Sequence, residues 1–303
     1  MNTKDKERLQ RSLRTTWLGL AANAVLATAK IAAGMFGGSE ALIADGVESI
    51  ADVVSSLIVW RGVVVAAQPP DEHHPYGHGK AEPVAAATVG FLLIVAAGWI
   101  VFHAMGLGAG ARQTPKPFTL LVLLAVIGLK EFLFRHVIRE SAALDSTAVR
   151  SDAWHHRSDA ITSLAAGIGI TVAIVGGPAY RSADDVAAVL ASGIIAWNGW
   201  RILIASFDEL MDASPDQEVI DSIKRIAGRV AGVELVEKCI VRKTGGHLLV
   251  DMHVHVEGGM KVSEAHLISH HVKDAVRREM PQVLDVLIHI EPAGLLEHRL
   301  EAL

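Results

Sequence analysis

Two pairs of side chains suited to metal binding recur in this sequence with the same spacing. Asp52 lies four positions after Glu48, and Asp159 lies four positions after His155. Side chains four residues apart lie on one face of a helix. Together the pairs offer three carboxylates and one imidazole, which suits the four-ligand shell of a divalent transition metal. We therefore predict a metal site formed by two helices.

Both pairs lie beside long apolar runs, where ionisable side chains are expensive and mark ion pathways by default. An acid lies three residues before each pair, at Asp45 and Asp152. These two acids either line the path of the ion or are solvated residues near helix ends. The ligand pairs have the same alternative, since charged side chains near helix ends can be solvated or can snorkel toward water. Two independent copies of the spacing favour the metal site.

The composition indicates a polytopic membrane protein with a water-facing part. Of the 303 residues, 51% are hydrophobic and 20% are charged, and the mean hydropathy is +0.35, which is too apolar for an ordinary soluble domain. The net charge of −5 and the lack of a basic tract argue against a nucleic-acid partner. The single cysteine, Cys239, excludes an intramolecular disulfide and a cysteine zinc cluster. We expect no cleavable signal peptide, because a charged N-terminus runs directly into a full-length span.

Six membrane-spanning helices are predicted, each near the ~20 residues that cross the hydrocarbon core. Their approximate ranges are 15–36, 41–65, 83–110, 117–137, 148–180 and 185–207. For the second and fourth spans, the alternative is an amphipathic soluble helix. The fourth span is the weakest of the six because it contains the charged residues Lys130, Glu131 and Arg135. Lys and Arg are frequent before the first span and beside the second and fourth loops, so both termini are predicted to be cytoplasmic.

A small α+β domain is predicted after residue 210. The order α-β-β-α-β follows from helical periodicity at 219–226 and 263–280 and from strand patterns at 233–241, 247–256 and 283–290. About 80 residues suffice for a two-layer domain whose thin core benefits from dimerisation or metal. The domains are therefore predicted as 1–210, a transmembrane transport domain, and 211–303, a cytoplasmic metal-binding and dimerisation domain.

Two further groups of residues have the chemistry of metal ligands. The loop after the second span carries Asp71, His74 and His78, which suit Zn²⁺; an exposed polar loop is the alternative. In the C-terminal domain, His253 and His255 share one strand face, and His289 and Glu291 share a face of another strand. Neighbouring strands can bring these residues together, with Glu237 as an additional ligand. A single histidine here would be an ordinary polar residue, but this density favours metal.

The chain resembles the cation diffusion facilitator family from about residue 18 to 292. The segments that carry the resemblance are 38–52 with Ala44-Asp45-Gly46-Val47-Glu48-Ser49-Ile50-Ala51-Asp52, the loop His74-Pro75-Tyr76-Gly77-His78-Gly79-Lys80-Ala81-Glu82, Ser151-Asp152-Ala153-Trp154-His155-His156-Arg157-Ser158-Asp159, and Asp212 with the α-β-β-α-β tail. The Gly-His-Gly-Lys loop combined with His-x-x-x-Asp is highly specific for that family.

The resemblance implies a homodimeric divalent-cation/proton antiporter in the membrane lipid, with a metallochaperone-like cytoplasmic domain. The residues it implies are Glu48, Asp52, His155 and Asp159 for the transport site, Asp71, His74 and His78 for a loop site, His253, His266, His289 and Glu291 for the cytoplasmic-domain site, and Lys80 with Asp212 for a charge interlock that holds the dimer near the membrane surface. A bacterial inner membrane is the expected location.

Two departures from the family pattern bear on the metal. Glu48 replaces the His or Asp of many zinc exporters, and Glu237 replaces an expected cytoplasmic-domain histidine. The donor set suits Zn²⁺ first and Fe²⁺ second, with Cd²⁺, Co²⁺ and Mn²⁺ also compatible. Hydrolase and P-loop motifs are absent from the sequence, which argues against a membrane metalloenzyme. A non-transporting metal sensor or assembly scaffold on the same fold stays as the alternative.

Overall fold

In the part of the chain that the structure describes, six long helices precede the C-terminal domain. The computed structural model describes the backbone at residues 3–105, 114–144 and 147–293, and the side chains at 20–105, 114–135, 138–139, 159–177 and 179–293. The helices are α1 (Thr3–Gly37), α2 (Glu40–Ala66), α3 (Ala81–Ala104), α4 (Phe118–Leu144), α5 (Thr147–Val175) and α6 (Ser182–Leu210). Each lies where the sequence predicts a span.

Among the residues whose side chains are described, four helical stretches are long and apolar enough to cross a membrane. They are Leu20–Gly37, Glu40–Ala66, Ala81–Ala104 and Ser182–Leu210. The described apolar stretch of α5 is Asp159–Val175, and α4 carries charged residues in its second half. A multi-pass arrangement follows from length and composition, whereas the number six stays a prediction.

The fifth helix ends earlier than the sequence predicts. We expected it to continue to residue 180, but α5 ends at Val175 and a 3-10 turn covers Gly177–Ala179. Gly177 has a φ of +67°, a conformation that favours glycine, and Pro178 follows it. These residues cannot continue an α-helix without strain, so the apolar run breaks there.

The helical bundle packs through small side chains. Its buried cluster contains seven alanines, and α1 and α2 approach closely at Gly46, where an added methyl group would lie 3.1 Å from the Ile31 backbone nitrogen. Without a hydrophobic driving force in lipid, close backbone contact of this kind stabilises helix association. The same close approach sets neighbouring Asp45 beside α1.

The C-terminal domain has the predicted α-β-β-α-β order, which is confirmed. Its elements are α7 (Gln217–Ala227), β1 (Leu235–Thr244), β2 (His247–Val256), α8 (Val262–Glu279) and β3 (Val283–Pro292). The strand order is β1-β2-β3, with β1 antiparallel and β3 parallel to β2. The first strand begins two residues later and ends three residues later than predicted; its register shifts between Val236 and Cys239.

The two faces of this sheet differ in chemistry. Val250, Met252 and Val254 of β2 are buried in one apolar cluster with Ile223 of α7 and Val272 of α8. Because side chains alternate between the faces of a strand, the intervening residues of β2 lie on the opposite face. That face carries the histidines of β2.

The chain folds into two compact units. Unit 1 comprises Met1–Ile58 and Thr88–Leu203, and unit 2 comprises Val59–Ala87 and Ile204–Leu303. The chain passes between the units within α2, α3 and α6. Unit 2 therefore includes the loop between α2 and α3 as well as the C-terminal domain.

A matched pair of valines in α8 tests the core of the C-terminal domain. Val272 is fully buried, whereas Val262 is 86% exposed. Val272→Ala should lower the free energy of unfolding by about 2 kcal/mol, because it removes two buried carbon groups and leaves a cavity. Val262→Ala should leave stability nearly unchanged. Thermal unfolding of the purified full-length variants measures both; equal shifts would contradict this packing.

Candidate functional site

Three of the four predicted transport ligands have described side chains, and all three lie in unit 1. Glu48 and Asp52 are half-buried on α2, and Asp159 is 7% exposed on α5. The backbone of His155 belongs to α5, but its side chain lies outside the described residues. The same holds for Asp152.

Asp159 forms a buried ion pair with a lysine of α4. The Lys130 ammonium lies 2.8 Å from Oδ2 of Asp159, and the exposed fractions of the two side chains are 1% and 9%. This lysine appeared in the sequence only as a charge that weakened the fourth predicted span. Its position explains how that span tolerates it, because an uncompensated ion would be far more costly in lipid.

A second buried ion pair joins α1 to α2. Lys30, with no exposed side-chain surface, lies 2.8 Å from Oδ2 of Asp45. It also donates to the hydroxyls of Ser49 at 3.0 Å and Ser163 at 3.3 Å, and Ser163 donates to Asp45 at 2.8 Å. The alternative that Asp45 is a solvated helix-end residue is therefore wrong, because this carboxylate is enclosed by protein donors.

These charges form one electrostatic group. Asp45, Glu48 and Asp52 lie on successive turns of α2, Lys30 pairs with Asp45, and Lys130 pairs with Asp159. Ser163, one turn after Asp159 on α5, contacts both Asp45 and Lys30. With every acid ionised and both lysines protonated, four negative and two positive charges leave a net charge of −2. A divalent cation would neutralise this group.

The loop residues meet in unit 2. His74 Nδ1 lies 3.1 Å from Oδ1 of Asp71, and His78 Nε2 lies 3.3 Å from Oδ2. The three ligand atoms lie within 4.8 Å of one another. Asp71 also accepts hydrogen bonds from the backbone amides of His73 and His74. The hydrogen bond from the His74 amide is the main reason that the pKa of Asp71 is lowered. A carboxylate and two imidazoles at this spacing suit a divalent cation.

The same loop explains the Gly-His-Gly-Lys motif. A methyl group on Gly79 would lie 2.7 Å from the Thr244 carbonyl oxygen, so only glycine allows this contact with the end of β1. Lys80 binds Asp212 at 2.8 Å and also donates to the Glu209 carbonyl. Its hydrogen bond is the main cause that lowers the pKa of Asp212. The predicted partners Lys80 and Asp212 therefore meet within one chain.

The second metal-capable group lies on the open face of the C-terminal sheet. Glu237, His253 and Glu291 place ligand atoms within 4.8 Å, and His253 Nδ1 lies 2.6 Å from Oε1 of Glu291. The buried His255 contacts Glu237 at 3.1 Å and Glu291 at 3.5 Å. The ring of His289 lies 4.9 Å from that of His253.

His266 lies on a helix rather than on the sheet face, and it lines one cavity with His289. It belongs to α8, and its Nε2 atom lies 3.1 Å from Nε2 of His270. Of the four residues implied by the resemblance, His253, His289 and Glu291 meet on the sheet face, together with Glu237 and His255, which the strand pattern also indicated. The strand periodicity contained the signal for His255, since it shares a face with His253. Cys239 is half-buried and desolvation raises its pKa to about 11, so the ligating thiolate is scarce.

Comparison with known proteins identifies both parts of the chain. Residues 16–211 match the cation efflux transmembrane domain, and residues 215–293 match the cytoplasmic domain of cation efflux proteins. The first match alone spans more than half of the chain.

Curated relatives match over nearly the whole length. The manganese efflux system protein MneP of Bacillus subtilis is 31% identical over 290 residues, covering 94% of this chain and 98% of that protein. Metal tolerance protein 2 of Oryza sativa subsp. japonica is 32% identical, covering 90% and 76%. The magnetosome protein MamB of Magnetospira sp. (strain QH-2) is 31% identical, covering 92% and 94%. The chain therefore belongs to the cation diffusion facilitator family, as a multi-pass membrane protein of divalent metal cation efflux.

Proposed function

We propose that this chain is a proton-coupled exporter of divalent transition metals that works by alternating access. The observation that carries the proposal is the pair of buried ion pairs, Lys30–Asp45 and Lys130–Asp159, beside the half-buried carboxylates of Glu48 and Asp52 in the helical bundle. The ligands of the transport site are Glu48, Asp52, His155 and Asp159. The protein acts as a homodimer in a bacterial cell membrane, with both termini and the domain 211–303 in the cytoplasm.

The transport cycle follows from competition between metal and protons for the same atoms. When the site opens to the cytoplasm, the carboxylates are ionised and His155 is neutral, so the metal binds. After the helices move, protons from outside compete for the imidazole and the carboxylates and release the metal. Because grouped carboxylates titrate together, the proton belongs to the group rather than to one residue.

The two lysines solve a problem of charge that the four ligands leave open. Three ionised carboxylates with a divalent metal carry a net charge of −1, which is costly in lipid. Asp45 adds a fourth negative charge, but Lys30 and Lys130 add two positive charges. The occupied group is then neutral, which supports a divalent cation as the substrate.

The donor set favours a broad choice among first-row metals. Carboxylates suit Mn²⁺, whereas imidazole suits Zn²⁺ and Fe²⁺. Similarity to a manganese efflux protein over 94% of the chain adds weight to Mn²⁺, and Glu48 supplies an additional hard oxygen. We infer that Mn²⁺ and Zn²⁺ are the two substrates to compare, with Fe²⁺, Co²⁺ and Cd²⁺ as further candidates.

The groups in unit 2 are proposed to sense metal rather than to carry it. The Asp71–His74–His78 group lies in a loop, and the Glu237–His253–Glu291 group lies on a sheet face, neither within a membrane-spanning helix. Both offer mixed carboxylate and imidazole ligands. Metal bound at these groups would stabilise the domain and its dimer.

Asp52→Ala and Asp159→Ala should each reduce metal flux at least ~10-fold, because each removes a ligand of the transport site. The measurement is uptake of Zn²⁺ and Mn²⁺ into proteoliposomes with an imposed pH gradient. Asp208→Asn, an exposed position on α6, is the control and should transport normally. Wild-type protein that binds metal but moves none would instead identify a sensor or scaffold.

Glu48→His should shift the flux ratio toward Zn²⁺ over Mn²⁺ on the order of tenfold, because it exchanges a carboxylate oxygen for an imidazole nitrogen. Initial rates for the two metals in the same vesicles give the ratio directly. A ratio equal to that of the wild type would remove Glu48 from the selectivity of the site.

Glu291→Gln should weaken Zn²⁺ binding to the cytoplasmic-domain site on the order of tenfold or more, because Glu291 contacts both His253 and His255. Glu264→Gln, an exposed acid in the first turn of α8, serves as the matched control. Titration of purified full-length protein resolves this class of sites from the others. If both variants bind like the wild type, the group on the sheet face is a hydrogen-bonded surface cluster.

A further inference from the structure

We propose that Lys130 is a tethered cation that competes with the transported metal for Asp159. In this assignment the lysine ammonium occupies the carboxylate while the site holds no metal. It withdraws when metal binds and returns when metal leaves. The inference rests on the proposed transport site, in which Asp159 is a ligand.

The geometry places the ammonium where the metal would bind. Its nitrogen lies 2.8 Å from Oδ2 of Asp159, and both side chains are at least nine-tenths buried. A carboxylate left alone in this environment would be strongly unfavourable. The lysine thus provides Asp159 with a positive partner in the metal-free transporter.

A divalent ion and the Lys130 ammonium cannot both bind the Asp159 carboxylate strongly at the same time, because the two positive charges repel each other. Lysine suits an alternating partner, since its charge sits on a flexible four-carbon stem. Metal binding must therefore weaken the ion pair, which lowers the affinity of the site. Release regains the ion pair, which favours departure of an ion that three carboxylates would otherwise hold too tightly.

Lys30 provides an internal comparison. It is as deeply buried, but it pairs with Asp45, which lies outside the four proposed ligands, and it also donates to two serine hydroxyls. Lys30 adds positive field to the same group of charges without occupying a proposed ligand. Comparing the two lysines separates direct competition from a general electrostatic effect.

The test is the metal concentration that gives half-maximal flux in proteoliposomes, with Zn²⁺ and Mn²⁺ as probes. Lys130→Gln should lower this concentration on the order of tenfold, or about 1.4 kcal/mol, and should reduce the maximal rate because release slows. Lys130→Arg should raise it, because a guanidinium pairs more strongly with a carboxylate. Lys30→Gln should lower it by much less than Lys130→Gln.

The outcomes separate this inference from the proposed transport site. A higher half-saturating concentration in Lys130→Gln would show a structural role, and equal effects in both glutamine variants would show only a general field; either result overturns the competition. If Lys130→Gln does not fold, an unchanged or lower value in Lys130→Arg overturns it as well. Normal flux in Asp159→Ala would instead refute the transport site itself.

Discussion

The constraint on which the helical bundle depends is that a buried carboxylate must be compensated, either by a cation or by hydrogen-bond donors. Asp45 and Asp159 satisfy it through lysines from other helices, Lys30 of α1 and Lys130 of α4. Each ion pair therefore acts as a tie between helices as well as a balance of charge. Breaking either pair by removing one partner would cost several kcal/mol, because the other charge would remain buried. The helices that carry the acids are thus fixed against the helices that carry the lysines.

Ion pairs in unit 2 follow a different energy scale. Lys80 and Asp212 are more than one-third exposed, so solvent screens their attraction and the pair contributes no more than about 1 kcal/mol. What holds the loop more firmly is shape: Gly79 lies against the end of β1 with no room for a side chain. The ion pair then selects one orientation of Lys80, which also donates to the Glu209 carbonyl. This ion pair therefore fixes the position of the Lys80 side chain but adds little to the stability of the fold.

The sequence predicted the elements more completely than it predicted their partners. Hydropathy located all six long helices, and strand alternation located the three strands, because these patterns depend on local burial. Lys30 and Lys130 lie within apolar spans, and the sequence did not indicate their partners, since pairing across 15 to 29 residues of sequence depends on how helices pack. An unexplained lysine within an apolar span, together with an acid in another span, was the available signal. For His266 the family resemblance indicated the C-terminal site; the structure places it on α8 beside His270, lining one cavity with His289, and its role there stays a prediction.

Charge balance and ligand type would control different parts of selectivity. With all four acids ionised and both lysines protonated, the group would carry a net charge of −2, and a low-dielectric interior would then favour two positive charges over one, whichever divalent metal carries them. Lys30 and Lys130 set that sum, although neither can be a ligand while it is protonated. In the proposed site, discrimination among Mn²⁺, Fe²⁺ and Zn²⁺ would come from donor atoms, chiefly the oxygen of Glu48 and the nitrogen of His155. Exchanging Glu48 for histidine also removes one negative charge, so its effect on metal preference must be read as a ratio between divalent ions. In Glu48→His, a change in the affinity for both metals would reflect the lost negative charge. A change in the Zn²⁺/Mn²⁺ ratio would reflect the exchange of an oxygen ligand for a nitrogen ligand.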